Sequence, residues 1–214
     1  MAIIYRLATS FWVSICTASP QGLSGAPIDE LKDFAVGVKT KLERLYGSYM
    51  INKELPVILY KKPSELRSKD IKDEEDDSLF LLAKNNLGLS IRDKWVIDFI
   101  QKHASSYKEN TIFVFDKEGV SGNQLLSILT HELVHYFFIG IDNSTDVGQG
   151  YNEACTDYLA KLVFGENYFS SYHELAAKKP KQGYMKAYAN FYYAKEEAKS
   201  LILDFYLAIP KNEY

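Results

Sequence analysis

Leu129-Thr130-His131-Glu132-Leu133-Val134-His135-Tyr136 is the stretch on which the reading of this 214-residue chain turns. It lies in an apolar run with helical spacing, 121–139, so His131 and His135 fall one turn apart, about 40° around the helix axis. Two imidazoles so placed can aim at one metal ion. Glu132, one residue along, projects beside that ion instead of onto it, where a carboxylate can take a proton from water. His-Glu-x-x-His also arises by chance, so a second element is needed.

That element is Tyr151-Asn152-Glu153-Ala154-Cys155-Thr156-Asp157-Tyr158, with Glu153 eighteen residues after His135. Gly140 is expected to end the first helix, the polar stretch 141–150 to turn the chain, and a second helix, 149–164, to run back past the first. Glu153 then becomes the third metal ligand. Asp157, one turn further on the same face, can accept the remaining N–H of a ligand imidazole, which fixes its tautomer and raises its basicity. Three ligands of His₂Glu type, one zinc ion and one water make an open tetrahedral site, the arrangement of catalytic and not structural zinc.

Other ligands fit the spacing less well. A metzincin needs Gly and His three and six residues after the second motif histidine, where this chain has Phe138 and Ile141. Asp142 and Asp146 read as turn and cap residues, and His103 and His173 as ordinary core or surface histidines.

Outward from this centre the chain changes character. Residues 29–49 carry Leu31, Phe34, Ala35, Val38, Leu42 and Leu45 at helical spacing behind Pro27 and Asp29, an amphipathic helix. Residues 55–60 read as a strand, 68–78 as a charged solvated loop, 80–83 as a second strand, and 95–103 as a helix or strand. Thr111–Phe115 (Thr-Ile-Phe-Val-Phe) is the clearest strand signal. After residue 121 helices are expected at 121–139, 149–164, 167–177 and 183–208. The fold class is therefore α+β, with a mixed N-terminal part and a helical C-terminal part.

The whole-chain properties restrict the partners. Twenty-five Lys+Arg against 28 Asp+Glu give a formal charge of −3, which supplies no global basic field for nucleic acid. No run of 18 apolar residues offers a membrane span. Cys16 and Cys155 make neither a disulfide framework nor a thiolate metal site. Residues 1–26 read as a signal peptide and linker, with a small-x-small triplet at Cys16-Thr17-Ala18, and a packed strand over 2–16 is the alternative. The signal reading favours a secreted or periplasmic location, and residues 27–214 then form a single domain.

His131-Glu132-Leu133-Val134-His135 with Asn152-Glu153-Ala154 and Asp157 resembles the gluzincin metallopeptidases, the clan that includes thermolysin, whose second motif is Asn-Glu-Ala-x-x-Asp. The resemblance covers about residues 111–165. It implies a zincin-like fold with one zinc ion in the cleft between the two parts, held by His131, His135 and Glu153. It also implies Glu132 as general base, Asp157 as the carboxylate behind a ligand histidine, and a peptide or protein as substrate. The clan further places a substrate-binding edge strand before the active-site helix, which points to Thr111–Phe115. The oxyanion-stabilising donor stays unassigned among Tyr172, His173, Tyr184, Tyr188, Tyr192, Tyr193 and Tyr206. Two other readings fit the same residues: a non-peptidase zinc hydrolase or an enzyme kept latent by its own 178–214 tail, and a zinc-binding module that acts through partners without turnover.

Overall fold

The computed structural model describes residues 28–66, 78–91, 110–138, 140–141, 144–178 and 183–208. The expectations for the N-terminal segment, the acidic run, 95–103, His103 and Asp142 lie outside these residues. Among the described residues the chain is a mixed α+β fold, mostly helical, with seven α-helices and one three-stranded sheet.

Helix α1 (Ile28–Tyr46) starts with Asp29 and Glu30 in its first turn, where carboxylates complement the helix dipole. Its buried stripe is Leu31, Ala35, Val38 and Leu42, as the spacing predicts. Each large apolar side chain so buried contributes about 1.5–3 kcal/mol of transfer free energy. The stripe packs on strand β1 (Val57–Lys61) and on the two helices that carry His131 and Glu153. A 3₁₀ turn (Pro63–Leu66) follows β1, and then come helix α2 (Ser78–Asn85), strand β2 (Gly88–Ile91) and strand β3 (Thr111–Phe115).

The sheet order is β1-β3-β2. Strand β1 pairs parallel to β3 from Val57↔Thr111 to Lys61↔Phe115, and β2 pairs antiparallel from Gly88↔Val114 to Ile91↔Thr111. Thr111–Phe115 is therefore the central strand, which corrects the expectation of a substrate-binding edge. All five of its residues are buried. A strand apolar at nearly every position is covered on both faces, which suits the middle of a sheet and not its rim. The outer antiparallel position belongs to β2. Residues 80–83, expected as a strand, lie in α2. Four apolar residues are too few to show a period, and Leu and Ala favour a helix when flanking residues extend one.

Helix α3 (Gly122–Phe137) is fixed at its start by a capping box. The Gln124 amide N–H donates to Ser121 Oγ at 3.3 Å, and the Ser121 N–H donates to Gln124 Oε1 at 2.8 Å. It ends at Phe138, two residues before the expected Gly140. Gly140 makes the turn itself at φ 79°, and a side chain there would collide with Asn152. Helix α4 (Asp146–Phe164) begins behind Thr145, whose hydroxyl accepts from the Gly148 N–H at 3.0 Å. Asp146 is thus the first helical residue, with Thr145 as the cap, and the helix starts three residues before the expected 149.

Helix α5 (Ser171–Lys178) is followed by two helices, α6 (Met185–Tyr192) and α7 (Glu196–Ala208), where the sequence suggests one continuous helix over 183–208. The break falls at 193–195, where Ala194 N–H donates to the Phe191 carbonyl in a tight turn. The turn lets α6 bury Tyr188 and Phe191 while α7 independently buries Leu203 and Tyr206, both helices lying against α4. No helix among the described residues is long and apolar enough to cross a membrane.

Candidate metal centre

Helices α3 and α4 pack against each other and bring the two motifs together. His131 Nε2 and His135 Nε2 lie 3.0 Å apart, and Glu153 Oε2 lies 3.0 Å from the first and 3.2 Å from the second. Among the described residues these three form the group able to hold a metal ion. His131 and Glu153 are buried, and His135 is half-buried. His173, by contrast, lies away from the group on α5, stacked on Tyr192 at 4.2 Å.

Each neighbouring motif residue has a separate mechanical role. The His131 Nδ1–H donates to Asp157 Oδ1 at 2.8 Å, which turns the Nε2 lone pair toward His135 and Glu153. His135 Nδ1 faces the Thr156 hydroxyl at 3.4 Å, and that hydroxyl pairs with Tyr206 of α7 at 3.1 Å. Asn152 Oδ1 accepts from the Ile141 N–H at 2.9 Å, tying the α3–α4 connection to the helix that bears Glu153. Ala154 is buried at the same interface.

The electrostatics favour a positive charge at this point. Burial pulls the His131 imidazole down, but hydrogen bonds and charges from Asp157 and Glu153 outweigh it and raise the pKa well above the ordinary histidine value. Burial likewise pushes the Glu153 carboxyl up, and the two imidazoles overcome it and hold Glu153 ionised below its usual range. Two histidines facing two carboxylates thus attract a cation, whether a proton or a metal ion.

Glu132 lies beside the group and outside it. Burial raises its pKa above the ordinary carboxylate value, opposed by the two imidazoles and by a hydrogen bond from the Ser90 backbone N–H. That hydrogen bond comes from β2. The Phe115 N–H donates to the Leu87 carbonyl, so alternation along an antiparallel pair turns Gly88 and Ser90 outward, away from β3. Strand and helix approach so closely that a Cβ on Gly88 would sit 2.8 Å from Glu132 Cγ and 2.8 Å from Ile128 Cγ2.

A cavity of about 300 Å³ opens beside Glu132 and His131. Leu87, Ile128, Phe169, Tyr172 and Leu175 give it an apolar lining, and Asn85, Asn86 and Tyr184 add polar groups. Tyr172 stacks on the His131 ring at 5.5 Å between centroids. Of the tyrosines open for the oxyanion role, Tyr172 and Tyr184 line this cavity, whereas Tyr188 and Tyr206 point to Asp157 and Thr156.

The sequence reading missed Gly88 and Ser90, which arrive from a strand it did not detect, and Tyr168 and Ser170, which touch Asp157. For Tyr168 and Ser170 the one local signal is Gly165, whose positive φ ends α4 just before them. No family model, curated protein or solved structure matches the chain.

Proposed function

We propose that the chain is a zinc-dependent metallopeptidase of gluzincin type, with a zincin-like arrangement of sheet edge, motif helices and cleft. The observation that carries this reading is the convergence of His131 Nε2, His135 Nε2 and Glu153 Oε2 within 3.2 Å of one another, with Glu132 alongside on the cavity wall. Adjacent ligand atoms on a tetrahedral zinc with bonds of about 2.0 Å sit about 3.3 Å apart, so the donor set has the right size and type.

Zinc held by His131, His135 and Glu153 would lower the pKa of water toward neutrality and polarise a peptide carbonyl. The chain's own residues do the remainder. Glu132 takes a proton from the attacking water at its carboxylate and delivers one to the leaving amine, and its burial-raised pKa suits both transfers. The Ser90 N–H holds that carboxylate in place. Strand β2 takes over the role first read into Thr111–Phe115: its outward Gly88 backbone can pair with an extended peptide, while the apolar cavity wall receives a side chain.

Glu132→Gln separates the roles. Zinc content should stay at one ion per chain, while cleavage of a peptide library should fall about 10²–10⁴-fold and be abolished by chelator in the wild type. Zinc loss in that variant would make Glu132 a ligand and break the assignment. Zinc retained by a wild-type chain that cleaves nothing would favour a latent or non-catalytic zinc-binding module.

A further inference from the structure

Asp157 receives more hydrogen bonds than the orientation of one histidine requires. His131 Nδ1–H and the Tyr168 hydroxyl both donate to Oδ1, at 2.8 and 2.5 Å, and the Ser170 and Tyr188 hydroxyls both donate to Oδ2, Tyr188 at 2.6 Å. A carboxylate offers about four lone-pair positions, so this one is saturated. It is also 5% exposed, where water cannot replace a lost donor.

The three hydroxyls come from outside both motifs, and the fold brings them there by separate devices. Tyr168 and Ser170 lie in the 165–170 segment, which is stitched to α3. The Asn123 side-chain amide donates to the Asn167 carbonyl at 2.7 Å, and the Phe169 N–H donates to Ser127 Oγ at 3.1 Å. Tyr188 comes from α6, which reaches α4 across Gly150. A Cβ at Gly150 would meet Ala187 Cβ at 2.7 Å and the Tyr188 amide nitrogen at 3.0 Å, so a side chain there would push α6 away.

We propose that Tyr168, Ser170 and Tyr188 form a hydroxyl clamp that aims the Asp157 carboxylate at His131, so that metal affinity depends on the 165–170 segment and on α6 as well as on the ligand-bearing helices. This rests on His131, His135 and Glu153 being metal ligands. The three are positioning residues, acting on the ion through Asp157 and then His131. Removing one hydroxyl frees an oxygen of Asp157 to rotate and loosens the imidazole behind the ligand atom.

The test measures zinc affinity of the full chain by competition with a chromophoric chelator, for Tyr168→Phe, Ser170→Ala, Tyr188→Phe, Asp157→Ala and the Tyr188→Phe/Asp157→Ala double variant. Near-ultraviolet circular dichroism checks the fold of each. Each hydroxyl deletion should weaken zinc about tenfold and Asp157→Ala up to about a hundredfold. The double variant should bind no more weakly than Asp157→Ala, because the Tyr188 hydroxyl then has no Asp157 carboxylate through which to act on His131. Wild-type affinity in all three hydroxyl variants, or losses that multiply in the double variant, would overturn the clamp while leaving the metal site standing. Absence of zinc binding by the wild type would overturn both. Should Tyr188→Phe not fold, the two substitutions in the 165–170 segment decide the matter.

Discussion

The α3–α4 seam and the central strand β3 are stabilised in opposite ways. Strand β3 is apolar apart from Thr111, and Ile112 and Val114 join the main core with no polar side-chain atoms to satisfy. The seam buries His131, Asn152, Glu153, Thr156 and Asp157, and nearly every polar atom there has a named partner. Apolar burial is non-directional and tolerates a swap of similar volume. A buried polar network requires each partner in place, since one deletion leaves a desolvated group unpaired. The group able to hold a metal ion therefore sits in the seam, and β2 supplies an outer strand beside it.

The largest expected effect breaks the seam at the group able to hold an ion. Glu153→Ala should abolish stoichiometric zinc binding, measured as metal content after dialysis, because two imidazoles alone hold an ion weakly. Next is the strand. Ile112→Ala should cost about 2–5 kcal/mol in denaturant unfolding while the folded fraction keeps its zinc. Metal loss proportionate to that destabilisation would erase the distinction between the two regions. Asn152→Ala should cost about 1–3 kcal/mol through the unpaired Ile141 N–H, a polar loss comparable with an apolar one of greater volume.

Gly88→Ala sharpens the comparison where the sheet, through β2, meets the seam. The added methyl must displace Glu132 or Ile128, so kcat should fall about tenfold or more at unchanged zinc content. Unchanged kcat would show that the strand does not set the position of Glu132. The smallest effect concerns Cys155, in the seam but outside its network. Burial pushes its thiol up to about 12, so alkylation of the peptide containing it should be slow until denaturant is added. Rapid labelling in the native state would mean the seam opens.

The residues of the candidate metal group were legible in sequence because each depends on spacing along one helix. His131 and His135 are one turn apart, as are Glu153 and Asp157, and α-helix geometry alone puts each pair on one face. The stripe of α1 was legible for the same reason. Strand order was not: Thr111–Phe115 announced a strand, but its neighbours on either side are set by β1 and β2, distant in the chain. Strand β2 is four residues long and begins with Gly88, too short to show a two-residue period.

By itself the sequence determined which residues come together as a group able to hold a metal ion, roughly where the helices that present them run, and that an apolar strand precedes them. Tertiary packing alone decided that β2 forms the outer strand, that its Ser90 amide holds Glu132, and that hydroxyls of Tyr168, Ser170 and Tyr188 gather on Asp157. Local periodicity is fixed by the bond geometry of a few consecutive residues. Contacts between separate elements arise only when each apolar face finds a partner to bury against, and no short window of sequence contains both sides of that encounter.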